Sequence, residues 1–168
     1  GSAALPATCV SLNASGGTLT GHSSQNEYAY RVQAPNAITV TGFRLFTNAI
    51  ASAPTTVPAG LYLATAGGSP EPVPVATGTM TVGVQPGFYE VVLNAPTSFQ
   101  PGDQFFIASD TGTIFTSTLS GGTSGSGYWR RPPSNPNWSP SNVVHFPSYE
   151  LVCSGSGQPG ATPALNGN

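Results

Sequence analysis

Four runs between Ile38 and Asp110 decide the fold: ITVTGFRLFTN (residues 38–48), GLYLATAGG (60–68), VPVATGTMTV (73–82) and PGFYEVVLNAPTSFQPGDQFFIASD (86–110). Within them, apolar and polar residues alternate with the period of two that is typical of a strand with one buried face. Glycine and proline, which number 21 and 17 in the chain, separate the runs at short intervals. Short alternating runs divided by turn residues predict an all-β fold, an antiparallel β-sandwich of the jelly-roll type, with almost no helix.

The same pattern continues on both sides of this stretch, in residues 28–32, 113–118 and 149–153. The chain has 168 residues, a length that suits one domain with a proper core. Residues 154–168, SGSGQPGATPALNGN, contain one large apolar side chain, Leu165. Because such a composition cannot bury a core, we expect one sandwich module over residues 1–153. A linker or disordered tail over 154–168 would then lead into the rest of a longer chain.

The order of these runs resembles a known group of proteins. VTGFRL (40–45), LYLA (61–64), GFYEVVLNAP (87–96) and PGDQFFI (101–107) are similar to strands of the jelly-roll accessory modules of secreted bacterial proteins, of the broad galactose-binding-like or carbohydrate-binding type. The resemblance covers under half of the chain, and it implies the fold and an accessory role. Such sandwiches bind sugars, bind peptides or act as spacers, so the resemblance assigns no binding residue.

Charged residues make up 6 % of the chain, against about 25 % in an average globular protein. There is no lysine, and the net charge is −2. Non-specific binding of nucleic acids needs many cations to neutralise the phosphates, so we expect no nucleic-acid partner. No apolar run is long enough to cross a membrane, so we expect no membrane partner either. A surface rich in hydroxyl and amide groups is typical of secreted proteins and suits an uncharged partner.

Two cysteines, Cys9 and Cys153, bracket almost the whole predicted module. An even count in a chain with few charges favours an oxidising compartment. We therefore expect a disulfide that ties the first strand to the last. The alternative is a pair of buried free thiols.

The segment GSGYWRRPPSNPNWSP, residues 125–140, holds both tryptophans and two of the four arginines. An aromatic ring offers a flat apolar face to a sugar ring, and nearby polar side chains can bond to the hydroxyl groups at its rim. Prolines stiffen the segment, so little entropy is lost on binding. Alternation places Tyr128 and Arg130 on one face and Trp129 and Arg131 on the other. The predicted ligand-binding residues are Tyr128, Trp129, Arg130, Arg131, Asn137 and Trp138; the alternative is that both tryptophans only pack in the core or against loops.

Asp103 and Asp110 flank one predicted strand and are candidate ligands of a structural calcium ion. Turn chemistry explains both residues without a metal, since aspartate favours turns. His22 and His145 are too far apart in sequence to form a metal motif. No other cofactor is expected.

No G-x-S-x-G nucleophile motif occurs, and the composition of GGTSGSG at 121–127 is typical of a loop. Glu90 and Glu150 occupy mid-strand positions and could in principle form the carboxylate pair of a glycosidase. Because Arg31 and Arg44 are also mid-strand, cross-strand ion pairs on an exposed sheet face are the simpler interpretation.

These features together predict a non-catalytic module that binds a neutral polysaccharide, attached to other domains of a secreted protein. A structural or adhesion module without a sugar ligand is the second interpretation, and a small secreted hydrolase is the third. Exposed tryptophan rings would favour sugar binding, and rings covered by a neighbour would favour an interaction role.

Overall fold

The computed structural model describes residues 7–12, 19–21, 26–49, 52–110, 114–119, 128–132, 135–141 and 146–154. Within these ranges there is no helix, and therefore none that could span a membrane. The described strands are β1 (Ala7–Leu12), β2 (Leu19–Gly21), β3 (Glu27–Gln33), β4 (Ile38–Ala49), β5 (Thr55–Leu63), β6 (Ala76–Val82), β7 (Gly87–Phe99), β8 (Gln104–Asp110), β9 (Ile114–Leu119), β10 (Trp129–Arg131), β11 (Ser139–Pro140), β12 (Phe146–Pro147) and β13 (Tyr149–Ser154).

The strands form one curled antiparallel sheet in the order β1-β13-β4-β7-β6-β5-β8-β3-β10-β11. Strand β9 lies off this path and pairs with β2, β4 and β12. Because the sheet curls, its two halves face each other as the layers of a sandwich do. The all-β, antiparallel, sandwich-like fold is thus confirmed, while the specific jelly-roll connectivity remains a prediction.

The main core lies inside the curl, and its side chains come from alternate positions of strands in both halves. In β8, for example, Phe105 and Ile107 point into this core. The largest side chains that are fully buried there are Tyr30, Phe43, Leu45, Leu61, Met80, Phe105, Ile107, Tyr149 and Leu151.

A second, smaller apolar cluster lies on the outer face of the β5-β8-β3 part of the sheet. Phe106 and Ala108 of β8 point to this side, next to Ala29 of β3 and Tyr62 of β5. Trp129 and Trp138 pack against this cluster. Strand β8 is therefore buried on both of its faces, and the outer cluster determines where the tryptophan segment lies.

Two glycines allow the neighbours of β7 to approach it closely. A Cβ atom at Gly42 of β4 would lie within 3.0 Å of the Val91 carbonyl oxygen, and one at Gly78 of β6 within 3.0 Å of the Val92 carbonyl oxygen. The register changes here as well, because Val40 pairs with Thr97 whereas Gly42 pairs with Val92. The β4–β7 pairing is thus irregular at this point, and neither Gly42 nor Gly78 has room for a side chain.

We expect Gly42→Ala and Gly78→Ala each to destabilise the fold by about 1–3 kcal/mol, since backbone atoms must move to admit the methyl group. Gly87→Ala is the matched control. It lies at the start of β7, where a Cβ would meet nothing within 4 Å, and should change stability by no more than about 0.5 kcal/mol. Urea unfolding followed by circular dichroism measures all three variants. Equal stabilities would contradict the close approach.

The predicted disulfide is confirmed: Cys9 of β1 is bonded to Cys153 of β13, with a Cα–Cα distance of 5.7 Å. Both cysteines are buried in the main core. The two strands are neighbours, and the register shifts between Thr8 and Val10, on either side of Cys9. The bond therefore fastens an edge strand at a local irregularity of the ladder. No described cysteine is free.

Replacing both cysteines by alanine should lower the free energy of unfolding by about 2–5 kcal/mol, because the cross-link closes a very long loop of the unfolded chain. The parent protein should show no reactive thiol before reduction. Chemical unfolding and thiol titration test the two statements. Two titratable thiols in the unreduced native protein would refute the bond.

Ser154 ends β13, and residues 155–168 lie outside the described residues, so the predicted tail remains a prediction. His22, His145 and the glycine-serine run at 121–127 also lie outside them.

Candidate functional site

Strand β10 adds the tryptophan segment to the edge of β3. Trp129 pairs with Ala29, Arg130 with Tyr28 and Arg131 with Glu27. The predicted alternation is observed, because Trp129 packs on the outer cluster while Tyr128 packs in the main core. A short strand that directly follows Trp138, β11, pairs with β10 on its other side.

Tyr128 does not offer a face to a ligand. Its exposed fraction is 8 %, and its ring lies 5.5 Å from that of Tyr28 in an edge-on arrangement. A tilted contact with Tyr30 encloses it further. The structure therefore places Tyr128 outside the candidate site, in the core. Arg130 is exposed but does not line the groove described below.

Arg131 is the centre of the outer-face contacts. Its Nε donates to Glu27 Oε2 at 2.9 Å, and its Nη2 donates to the Tyr62 hydroxyl at 2.9 Å. Its Nη1 donates to the carbonyl oxygens of Pro72 at 2.7 Å and Pro136 at 3.2 Å. One guanidinium group thus joins four separate parts of the chain: β3, β5, the 71–75 loop and the segment after β10. A lysine ammonium could not reproduce this planar set of donors.

Trp138 is held on three sides. The Arg131 guanidinium carbon lies 4.1 Å from the centroid of its ring, the geometry of a cation–π contact worth about 0.5–2 kcal/mol. The Tyr62 ring meets it edge-on, with centroids 5.3 Å apart and planes at 85°. The indole N–H donates to the Glu71 carbonyl oxygen at 3.0 Å. These contacts fix the ring while leaving it partly exposed.

Tyr62 links the aromatic contacts to the ion pair. Its hydroxyl donates to Glu27 Oε1 and accepts from Arg131. Burial, and then the hydrogen bond to the Glu27 carboxylate, raise the pKa of the Tyr62 phenol well above its usual value. The phenol therefore stays protonated and remains a donor to Glu27.

A shallow groove lies between the 65–72 loop and the 136–138 segment, with a volume of about 310 Å³. None of the described residues that line it has an ionisable side chain. Its polar groups are the hydroxyls of Thr65 and Ser69, which lie 2.8 Å apart, and the exposed amide of Asn137. The remaining described lining is aromatic, proline or glycine; the described lining residues are Thr65, Gly67, Ser69, Pro70, Pro72, Trp129, Pro136, Asn137 and Trp138. This is the candidate site, and it suits an uncharged ligand with both apolar and hydroxyl surface.

The structure thus brings Trp129, Trp138 and Asn137 to one groove, with Arg131 behind it. Glu27, Tyr62 and the proline-rich run at 70–74 support or line the groove, and none of them was predicted from the sequence. One signal was available, since a chain with four arginines and six acids must pair any arginine that it buries. That signal does not say which acid is the partner.

The two candidate calcium ligands lie at opposite ends of β8. Asp103 precedes the strand, and its Oδ2 accepts from the Gln100 backbone N–H at 2.8 Å, which is the turn chemistry considered above. Asp110, which ends the strand, is about 23 Å away at a rise of roughly 3.3 Å per residue. One ion cannot be bound by both. Among the described residues, no three metal-ligating side chains form a cluster.

Glu90 and Glu150 flank a single arginine. In register across β7, β4 and β13, Arg44 stands opposite both acids. Its guanidinium lies 2.9 Å from Glu90 and 3.3 Å from Glu150, and Thr8 bonds to both Arg44 and Glu150. The predicted cross-strand ion pairing is observed for Arg44, which stands between the two carboxylates.

No protein-family model matches this chain, and a search of curated proteins finds no match.

Glu27→Gln should loosen Arg131 and uncover Trp138, because the substitution removes the charge that the guanidinium compensates. In a Trp129→Phe background, Trp138 is the sole tryptophan and reports on itself. We expect its fluorescence to shift to longer wavelength and to be quenched more strongly by acrylamide, with a stability loss of about 1–3 kcal/mol.

Glu90→Gln in the same background is the control, because Glu90 also pairs with an arginine but at Arg44. It should leave the fluorescence of Trp138 unchanged. Identical quenching in the two variants would show that Glu27 does not hold the ring.

Proposed function

We propose that this chain is a non-catalytic carbohydrate-binding module that holds a neutral polysaccharide in the groove between residues 65–72 and 136–138. One observation carries the proposal: both tryptophans of the chain line one groove whose other side chains are prolines, hydroxyls and an amide. An indole ring stacks on the C–H face of a sugar, and hydroxyl and amide groups exchange hydrogen bonds with its rim.

The groove is built in advance of binding. Arg131 fixes the position of Trp138 through one face of the ring, while Thr65 and Ser69 are joined by their own hydrogen bond. A site whose side chains are already ordered loses little entropy when a ligand arrives. The module can therefore bind the polysaccharide through a small number of contacts. Such binding suits a domain that holds a larger protein on its polymer.

The buried disulfide is typical of proteins in oxidising compartments, and the chain has few charges. We accordingly place the module in a secreted bacterial protein, next to other domains of the same chain.

A structural role is the second candidate, and the packing of Trp138 favours it. Its indole N–H, one face and one edge are all engaged within the chain. In a structural role, the tryptophans only hold the 135–141 segment against the outer cluster. The outer face of the sheet then serves as a spacer or as a contact surface for another domain.

Trp129→Ala tests sugar binding directly. Retention should be measured on insoluble cellulose, chitin, xylan and mannan, and then affinity for the polymer that retains the parent. We expect a loss of about fivefold to 150-fold, by analogy with the roughly 1–3 kcal/mol of base–aromatic stacking. Asn137→Ala, at the rim, should cost less because its hydrogen bonds compete with water.

Val92→Ala is the matched control, since Val92 is 70 % exposed and does not line the groove. It should bind as the parent does, and circular dichroism should show all variants folded. If a folded Trp129→Ala protein keeps full affinity, the groove is not the site. If the parent binds none of the four polymers, the structural role is favoured.

A further inference from the structure

A second concavity lies on the same outer face, on the other side of Tyr62 from the groove. Its volume is about 280 Å³. It lies over strands β3, β8, β5 and β6, and we call it the cleft. The residues that line it are Glu27, Pro58, Ala59, Tyr62, Pro74, Thr77, Gly78 and Asp110.

The contact between Tyr62 and Trp138, with the Arg131 guanidinium beside both rings, lies between the cleft and the groove. Tyr62 lines the cleft and Trp138 lines the groove, and their ring centroids lie 5.3 Å apart. The same loop borders both concavities, with Pro72 at the groove and Pro74 at the cleft. A ligand longer than the groove can therefore reach the cleft by passing over one pair of rings.

The lining of the cleft combines an apolar base with hydrogen-bonding groups. Pro58, Ala59, Pro74 and the ring of Tyr62 supply the apolar surface, and Thr77 supplies a hydroxyl. The carboxylates of Glu27 and Asp110 are opposite each other in register across β3 and β8. A carboxylate oxygen can accept more than one hydrogen bond, and bonds from sugar hydroxyls to a carboxylate are stronger than those to neutral acceptors.

The charge of Glu27 does not dominate the cleft. Arg131 pairs with it at 2.9 Å from the side of the groove, and the Tyr62 hydroxyl donates to its other oxygen. The described polar groups of the groove are neutral hydroxyls and an amide, whereas the cleft also has carboxylates, which are stronger hydrogen-bond acceptors. The two surfaces suit successive units of one hydroxylated polymer.

We infer that the cleft is a second subsite for the polysaccharide that occupies the groove, and that one chain crosses the Tyr62–Trp138 contact to fill both. The inference rests on the proposed function. It identifies the ligand as an extended chain of several sugar units and assigns Thr77, Glu27 and Asp110 to its further part.

Thr77→Trp tests the cleft by filling it, because Thr77 is exposed on β6 at its border. Thr81→Trp is the matched control, since Thr81 is exposed on the same face of the same strand but does not line the cleft. Calorimetry should compare a trisaccharide with a hexasaccharide from each of the cellulose, chitin, xylan and mannan series. Circular dichroism should confirm that both variants are folded.

For the parent, we expect the hexasaccharide of the bound series to bind about tenfold more tightly than the trisaccharide, a difference of about 1.4 kcal/mol. Thr77→Trp should abolish this difference and leave trisaccharide affinity unchanged, while Thr81→Trp should preserve it. If Thr77→Trp binds the hexasaccharide as the parent does, the cleft is not a subsite and the groove function stands. If Thr77→Trp loses the trisaccharide as well, the assignment of the two surfaces is wrong. If the parent binds no oligosaccharide of either length, the proposed function itself fails.

Discussion

Strand β8 is apolar on both of its faces, and the arrangement of the other strands follows from this constraint. Phe105 and Ile107 require cover on the inner side, which the curled sheet provides by facing its own other half. Phe106 and Ala108 require cover on the outer side. In a strand with one exposed face, those positions would be polar. The segment after residue 127 provides the outer cover.

The cover places an arginine where water is scarce, and this explains why the segment is so ordered. The side chains of Arg131 and Glu27 are only 11 % and 21 % exposed. A charge in such a position must be paired and hydrogen-bonded to be tolerated, and Arg131 makes four hydrogen bonds and contacts two aromatic rings. The same contacts hold Trp138 at the edge of the groove. Packing and the candidate binding surface therefore depend on one side chain.

The sequence predicted what depends on local periodicity and missed what depends on distant pairing. Alternation located the strands and placed Trp129 and Arg131 on the same face, and the two cysteines indicated their own bond. Alternation does not say which face of a short strand points inward, and so Tyr128 was predicted at the site but lies in the core. Tyr62 and Glu27 reach Arg131 across 69 and 104 residues of sequence, and no local pattern encodes that register. The prolines at 70 and 72 line the groove only because Trp138 lies beside them, and the sequence does not show that contact.

The position of β13 determines when this chain can finish folding during its synthesis. Strand β1 is made first, yet its partner in the sheet is β13, and β13 in turn pairs with β4. The amino-terminal strand thus has no place in the sheet until residues 149–154 have been made. Such non-local pairing slows folding, because the entropy of closing a long loop is lost before the contacts that compensate for it can form. The sheet is completed, and the thiol of Cys9 meets that of Cys153, only after almost the entire module has left the ribosome.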